Sequence, residues 1–133
     1  MIDKEIIKIA SNTENHGVLD NHTHFSKLKN SICGDNIKIY LIVKKEKVIS
    51  FKYEGSSCIY CQASASLLAK NAKHKSVKSV KGFIKNAKFF FDKKDALNNN
   101  NWKIFKKIMN KKNVARKNCL LLPLKTLLKA LNN

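Results

Sequence analysis

The sequence predicts a single α+β domain in which a small antiparallel β-sheet packs against helices. Ile37, Ile39, Leu41 and Val43 alternate with Lys38, Tyr40 and Ile42, and the alternation returns at Ile49, Phe51 and Tyr53; the polar turn Lys-Lys-Glu-Lys joins the two segments. This is the pattern of a hairpin with one buried face. After Cys61 the apolar spacing changes to three and four residues, as in amphipathic helices. Strands followed by helices are typical of α+β domains, and a chain of 133 residues without a linker rich in proline or glycine fits one domain, residues 1–133.

The other elements follow from the same periodicities. Isoleucines at helical spacing predict a short helix over residues 2–10, residues 12–17 are predicted as a turn, and residues 22–28 as a strand. Pro123 is expected in the first turn of the last helix, where its missing N–H is tolerated. Four apolar stripes predict helices and core side chains: Ala65, Leu68, Ala69 and Ala72; Val77, Val80, Ile84, Ala87 and Phe91; Trp102, Phe105, Ile108 and Met109; and Leu120, Leu124, Leu127, Leu128 and Leu131.

The net charge of +18 raises the question of nucleic-acid binding. Of the 27 basic residues 26 are lysines, and they are spread from Lys4 to Lys129 without an arginine-rich block. A bias toward Lys, Asn and Ile is what an AT-rich coding sequence produces whatever the function. We therefore favour a solvated lysine surface over a nucleic-acid groove. Arg116 is the single arginine, and it offers a planar fork of donors that lysine cannot copy.

The cysteines are the main candidates for chemistry. The sequence shows no signal peptide and no apolar stretch near the ~20 residues that span a bilayer, so we expect a cytoplasmic protein without membrane association. In a reducing compartment, cysteines indicate metal or thiol chemistry before disulfides. Cys33, Cys58 and Cys119 each lie at the edge of a predicted element, where separate segments can converge on one site.

Asp35 strengthens the case for a metal site. The tripeptide Cys33-Gly34-Asp35 places a thiolate and a carboxylate two residues apart, and glycine allows the backbone to turn sharply between them. Three cysteines and one aspartate suit tetrahedral zinc. Buried cysteines and an aspartate that caps a turn would give the same pattern, so the spacing alone leaves both interpretations open.

Several motifs together carry a family resemblance. They are Cys33-Gly34-Asp35, Tyr53-Glu54-Gly55-x-x-Cys58 followed by Ala63-Ser64-Ala65-Ser66, Ala115-Arg116-x-x-Cys119, and the N-terminal Asn12-x-x-Asn15-x-Gly17-Val18-Leu19. In this order they resemble the NifU-N/IscU-like family, whose members assemble iron–sulfur clusters. The SufU branch is the closer match, because Asn118 stands where IscU scaffolds have histidine and because 60 residues separate Cys58 from Cys119.

The resemblance implies a SufE/NifU-like fold and a zinc site made of Cys33, Asp35, Cys58 and Cys119. It further implies that Cys33 accepts persulfide sulfur from a SufS-type cysteine desulfurase and passes it toward a SufBCD-type scaffold complex. Arg116 would aid docking to the desulfurase or support the site electrostatically. Such a protein is a scaffold or sulfur carrier more than an enzyme, although sulfurtransferase activity is compatible with it. The alternatives are an IscU-type scaffold that holds iron or a transient [2Fe–2S] cluster and, from another class, a basic nucleic-acid-binding module.

Two features depart from the resemblance or stand outside it. Cys61 occupies a position where the family usually has a small or hydroxyl residue, and we expect it to be a small buried side chain. A spare metal ligand and a resolving thiol are the alternatives for this residue. His22 and His24 could share one face of a strand, but we expect them to be ordinary polar surface.

Overall fold

The structure of the protein, a computed structural model, describes residues 3–30, 34–93 and 100–132. Over these residues the chain forms α1 (Lys4–Ala10), β1 (His24–Lys29), β2 (Asn36–Lys44), β3 (Lys47–Glu54), α2 (Ile59–Ala72), α3 (Val77–Lys93), a first 3-10 helix (Asn100–Lys107), a second 3-10 helix (Lys111–Arg116) and α4 (Lys117–Leu131). The predicted α+β class is confirmed. No helix among these described residues has the length and apolarity needed to cross a membrane.

The three strands form an antiparallel sheet in the order β1-β2-β3. The β2–β3 pair is the hairpin that the alternation predicts, with Ile39 opposite Tyr53 and Leu41 opposite Phe51. These four side chains are buried, because period-two alternation places every second residue on the face that the helices cover. Asn30, Gly34 and Asp35, between β1 and β2 in the chain, lie at the end of the sheet where β3 leads into α2.

The outer edge of β3 is paired near both of its ends. Near its C-terminal end, Gly17 donates its N–H to the carbonyl of Tyr53 at 2.8 Å, and Tyr53 donates its N–H to the carbonyl of Asn15 at 3.1 Å. Near its N-terminal end, Val48 exchanges backbone hydrogen bonds with His74 (2.6 Å) and Lys75 (3.0 Å). Part of the predicted turn over residues 12–17 therefore adds a short bridge to the sheet.

The core lies between the sheet and a layer of helices. α4 packs across β1 and β2, α2 packs across β3 and against α4, and α1 covers α2. Leu68 of α2 and Leu124 of α4 are fully buried in this core. Burying a leucine stabilises a fold by about 1.5–3 kcal/mol, so these stripes hold the helices on the sheet.

The third apolar stripe is buried as predicted, but it is not α-helical. Trp102, Phe105 and Ile108 are fully buried and lie in or next to the first 3-10 helix. The backbone is kinked at Trp102 (φ −119°, ψ 20°), and beyond it the three-residue turn places Phe105 and Ile108 on the same side. Trp102 stacks on Phe83 of α3 with ring centroids 4.1 Å apart. Spacing of three residues is common to both helix types, which explains why the sequence did not separate them.

The prediction for Pro123 was wrong. α4 begins at Lys117, so Pro123 lies in the interior of the helix and not in its first turn. The missing backbone hydrogen bond and the ring clash cost about 3 kcal/mol in a helix interior. The neighbours Leu122 and Leu124 are buried, and two such side chains offset that cost.

Candidate metal centre

Three of the residues singled out in the sequence meet at one end of the sheet. Donor atoms of Asp35, Cys58 and Cys119 all lie within 4.8 Å of one another. They come from the β1–β2 connection, from the residue that begins α2 and from the first turn of α4. Cys33, the fourth residue of the expected zinc site, falls outside the described residues. The structure therefore brings together the described part of the expected ligand set.

Backbone hydrogen bonds hold Asp35 at this position. Asn30 donates its N–H to the carbonyl of Asp35 at 2.7 Å, and Gly34 donates its N–H to the carbonyl of Asn30 at 2.8 Å. Gly34 has φ +73°, a left-handed conformation that costs about 1–2 kcal/mol for other L-residues. Asp35 itself is only 4% exposed. Its carboxylate Oδ1 accepts the backbone N–H of Cys58 at 2.9 Å, which ties two members of the cluster together.

Gly55 lets the β3–α2 turn approach β2 closely. A Cβ atom at this position would lie 2.2 Å from the carbonyl oxygen of Asn36 and 2.9 Å from the Cα of Ile37, and φ is +151°. A 2.9 Å hydrogen bond from the N–H of Asn36 to the carbonyl of Ser56 stabilises this close approach. Because this turn leads directly into Cys58, the close approach sets the distance between Cys58 and Asp35.

Cys58 occupies the N-cap of α2. Its backbone is extended (φ −71°, ψ 167°) and its side chain caps no backbone N–H, while its carbonyl accepts the N–H of Gln62 at 3.0 Å. The first turn of α2 contains no acidic residue. The partial positive charge of the α2 N-terminus therefore lies beside the cluster.

The start of α4 carries Cys119 into the cluster. Cys119 is 5% exposed, and the next residue, Leu120, accepts a 2.6 Å hydrogen bond at its carbonyl from Ser64 Oγ of α2. Ser64 is completely buried. This interhelical bond fixes the first turn of α4 against α2 one to two turns beyond Cys58. Asn118, at the position where IscU scaffolds carry histidine, is exposed.

Arg116 lies beside the cluster at the surface. Its guanidinium carbon is 5.2 Å from the ring centroid of Tyr60, within the range of a cation–π contact. Arg116 precedes α4 and Tyr60 is the second residue of α2, so the contact joins the beginnings of the two helices that supply Cys119 and Cys58. The expected role of Arg116 in docking a partner stays a prediction.

Cys61 and the histidines lie where the sequence predicts. Cys61 is fully buried in the hydrophobic core. His22 Nδ1 lies 2.7 Å from the carbonyl of Leu19, and His24 Nδ1 lies 2.8 Å from Thr23 Oγ1. Within the part of the chain that the structure describes, neither histidine joins a metal-binding cluster.

The donor set fits a thiophilic metal. Zinc binds sulfur at about 2.3 Å and carboxylate oxygen at about 2.0–2.2 Å, so donors around a tetrahedral ion are separated by roughly 3.5–3.8 Å. The observed cluster, with all atoms within 4.8 Å, needs only small side-chain rotations to reach that geometry. Two features of this site escape sequence inspection: the hydrogen bond from Cys58 to Asp35, and the contact that Gly55 makes possible.

Comparisons with known proteins agree with this fold. A sequence profile described as NifU-like N terminal domain matches residues 1–133. The chain is 34% identical over 87 residues to the iron–sulfur cluster assembly scaffold protein IscU of Thermotoga maritima. That alignment covers 65% of this chain and 61% of the relative, so the chain matches less than two thirds of the relative's length.

Two solved structures are similar over nearly the whole chain. The N-terminal NifU-like protein of Brucella abortus has a TM-score of 0.90 at 20% identity, covering 98% of this chain and 91% of that one. A putative iron–sulfur cluster assembly scaffold protein for the SUF system, from Fervidobacterium islandicum AW-1, has a TM-score of 0.87 at 27% identity, with coverage of 98% and 96%. At 20% identity, the similarity to the Brucella protein is one of fold alone. The similarity to the Fervidobacterium protein includes the sequence, at 27% identity.

Proposed function

The chain belongs to the NifU-like N-terminal domain family, and on that basis we propose that it is an iron–sulfur cluster assembly protein that works through its cysteine and aspartate cluster. The observation that carries the proposal is the convergence of Asp35, Cys58 and Cys119 from three separate segments. A core needs no such convergence of a buried carboxylate and two thiols. The relatives named as iron–sulfur scaffold proteins point to the same chemistry.

Cys33 completes the proposed site. It is two residues from Asp35 in the chain, and two peptide units span at most about 7.6 Å between Cα atoms. Asn30 and Asp35, which flank Cys33 in the chain, are joined by a backbone hydrogen bond. With Cys33 included, the proposed donors are three sulfur atoms and one carboxylate oxygen, a set that zinc accepts. When bound, zinc would keep these cysteines as thiolates at neutral pH.

The sulfur-transfer chemistry belongs to the cysteines. We propose that Cys33 accepts sulfur from the persulfide of a SufS-type cysteine desulfurase, because a thiolate is the form that attacks such a sulfur. The sulfur is then passed to a SufBCD-type scaffold complex. This finer assignment is supported by the Ala115-Arg116-x-x-Cys119 sequence, by the exposed Asn118, and by the 27% identity to the protein described for the SUF system.

The surface around the cluster suits such an encounter. Arg116 is exposed at the start of α4, and its contact with Tyr60 holds the guanidinium beside the first turn of α2. The net charge of +18 would attract an acidic face of the partner and raise the association rate at low ionic strength. We therefore expect Arg116 to contact the desulfurase.

Metal content and desulfurase stimulation test the proposal together. Protein purified from cells should carry about one zinc per chain, as expected for one four-donor site, and should accelerate cysteine turnover by a SufS-type desulfurase. Asp35→Asn and Cys58→Ser should lower the bound zinc, and Cys33→Ala should abolish the acceleration. Asp20→Asn is the matched control, because Asp20 is an exposed carboxylate outside the cluster. Stimulation that survives complete removal of metal would contradict a zinc-dependent mechanism.

A second function on the same residues is favoured by the 34% identity to an IscU scaffold. In that case a [2Fe–2S] cluster is cargo, assembled on the three cysteines and released to another protein. Anaerobic reconstitution with iron and sulfide separates the two functions. A stable visible chromophore that transfers to an apo-ferredoxin would favour the scaffold, and a colourless zinc-bound protein that stimulates the desulfurase would favour sulfur transfer.

A further inference from the structure

We infer that Cys58 and Cys61 form a dithiol–disulfide couple in which Cys61 attacks a persulfide on Cys58 and releases its sulfur as sulfide. The inference deepens the proposed function and rests on it, because sulfur is supplied as a persulfide. It assigns a role to Cys61, a fully buried thiol that the proposed metal site does not use.

The positions of the two residues in α2 make the bond possible. Cys58 is the N-cap and Cys61 is the third helical residue, the two positions whose side chains and backbone meet in a capping box. The rise and radius of an α-helix place the Cα atoms of residues three apart about 5 Å from each other, and disulfides join residues whose Cα atoms are about 4.4–6.8 Å apart. Rotation of the Cys58 side chain, which caps no backbone group, brings the sulfur atoms together.

The two thiols differ in accessibility in the way the reaction requires. Cys58 is half-buried and stands at the positive end of the α2 dipole, so it can meet a sulfur donor from outside. Cys61 is 0% exposed, so external reagents reach it only through Cys58. An accessible first thiol followed three residues later by a protected second thiol is the arrangement of C-x-x-C redox motifs.

Contacts on either side of Cys61 show which way it faces. Three residues before it, Cys58 lies within 4.8 Å of Cys119 at the start of α4. Three residues after it, Ser64 donates a hydrogen bond to the carbonyl of Leu120 in the same turn of α4. Residues at i and i+3 share a helix face. Cys61 therefore lies between these two contacts along α2, on the buried side of the helix.

The reaction balances without an external reductant in its first turnover. The Cys58 thiolate attacks the outer sulfur of a persulfide, R–S–SH, and the thiol R–SH leaves. The Cys61 thiolate then attacks Cys58 Sγ, the bond from Sγ to the outer sulfur breaks, and HS⁻ leaves and takes up the proton that Cys61 has lost. The two cysteines supply two electrons, so sulfane sulfur is reduced to sulfide as the Cys58–Cys61 disulfide forms. A thiol reductant then restores the dithiol.

Sulfide release and metal binding exclude each other in this scheme. Cys58 is a proposed metal ligand, and a sulfur atom engaged in a disulfide has no thiolate to offer. The metal-free state of the protein is thus the one that converts persulfide to sulfide. Metal binding protects Cys58 from the reaction.

The experiment uses the metal-free full-length chain and glutathione persulfide as the sulfur donor. Trapped sulfide is measured, and peptides are analysed by mass spectrometry under non-reducing conditions. The wild type should release about one sulfide per chain and yield a Cys58–Cys61 crosslinked peptide lighter by two hydrogens. In a background with Cys33→Ser and Cys119→Ser, which leaves Cys58 and Cys61 as the two cysteines of the chain, Cys61→Ser should release at least about tenfold less sulfide than the background protein, since no thiol then resolves the persulfide. Its Cys58 peptide should be heavier by one sulfur atom.

Two further variants keep the result unambiguous. Cys61→Ala should behave as Cys61→Ser does, which covers the case that a buried hydroxyl disturbs folding. Ser66→Ala removes a buried hydroxyl of α2 that is bonded to the carbonyl of Asn12, away from the cluster, and leaves both thiols in place, so its sulfide release should equal that of the wild type. Sulfide release by both Cys61 variants at the level of the background protein, or a wild type without the crosslink, would overturn the inference.

The same measurements separate this inference from the proposed function. If the crosslink fails to form while the protein binds zinc and stimulates the desulfurase, Cys61 is only a core residue and the function stands. If the crosslink and the sulfide appear but zinc binding and desulfurase stimulation are absent, the dithiol chemistry stands without the proposed partner.

Discussion

Replacing Gly55 by alanine tests how the cluster is held together. A Cβ at residue 55 would lie 2.2 Å from the carbonyl oxygen of Asn36, and ordinary van der Waals contact begins at 3.4 Å. The β3–α2 turn and β2 would have to separate by about 1.2 Å, the difference between these two distances. The atoms in the way belong to the backbone of a paired strand, so no side chain can rotate aside to make room.

The separation would break two hydrogen bonds that span the gap. The bond from Asn36 N–H to the carbonyl of Ser56 contributes about 1 kcal/mol, and the bond from Cys58 N–H to the carboxylate of Asp35 about 1.5–3 kcal/mol. With strain at a φ of +151°, which costs about 1–3 kcal/mol for other residues, Gly55→Ala should lower the free energy of unfolding by about 3.5–7 kcal/mol. For a chain of this size the melting temperature should fall by roughly 10 °C or more.

Urea unfolding of the zinc-loaded and the metal-free protein measures the effect, with two glycine variants as controls. Gly82→Ala lies in α3 with nothing near its added Cβ and should stabilise the protein by about 0.5–1 kcal/mol. Gly34→Ala has a left-handed φ of +73° but open space around the Cβ, so it should cost about 1–2 kcal/mol. A Gly55→Ala protein that is as stable as Gly34→Ala and keeps wild-type zinc affinity would refute the reasoning.

Three further predictions concern residues around the site. Trp102→Ala should cost about 3–5 kcal/mol by denaturant unfolding, because Trp102 is fully buried; a loss below about 1 kcal/mol would contradict its role in the core. Arg116→Lys removes the guanidinium plane from Tyr60 and should reduce desulfurase stimulation roughly fivefold or more while stability changes by about 1 kcal/mol or less; unchanged stimulation would exclude a docking role. The hydrogen bond from Lys112, followed by that from a backbone N–H, lowers the pKa of Asp3 below 3.8, so its stabilisation should be full above pH 3.8 and disappear as the pH falls through the lower folded pKa. Thermal unfolding of wild type and Asp3→Asn from neutral to acidic pH checks this, and a stability difference that grows on acidification would show that the sign is wrong.

Much of the fold could be predicted because its periodicities are strong. Alternation over residues 37–43 and 49–53 locates the β2–β3 hairpin, since each side chain there is either on the buried face or on the exposed one. The first 3-10 helix and the interior position of Pro123 were not predicted. In both cases burial of large apolar side chains decides the backbone conformation, and local propensity does not reveal what those side chains pack against.

The candidate site divides along the same line. The ligand types of Asp35, Cys58 and Cys119 are visible in the sequence, because thiols and carboxylates at element boundaries are uncommon without a reason. The contacts that hold these three residues in place cannot be seen in the sequence. The contact at Gly55, for example, depends on residues 36 and 37 of another strand. The face of Cys61 depends in turn on the packing of α2 against α4, which periodicity alone does not specify.

The bridges on the outer edge of β3 bear on how the protein behaves when it is concentrated. An exposed strand edge is a template to which strands of other molecules can add, and natural proteins block such edges to avoid aggregation. Here Tyr53 and Val48 already exchange hydrogen bonds with residues 15–17 and 74–75 of the same chain. Strand addition at this edge can use only the short middle of β3. The β3 edge of the three-stranded sheet is thereby protected from pairing with strands of other copies.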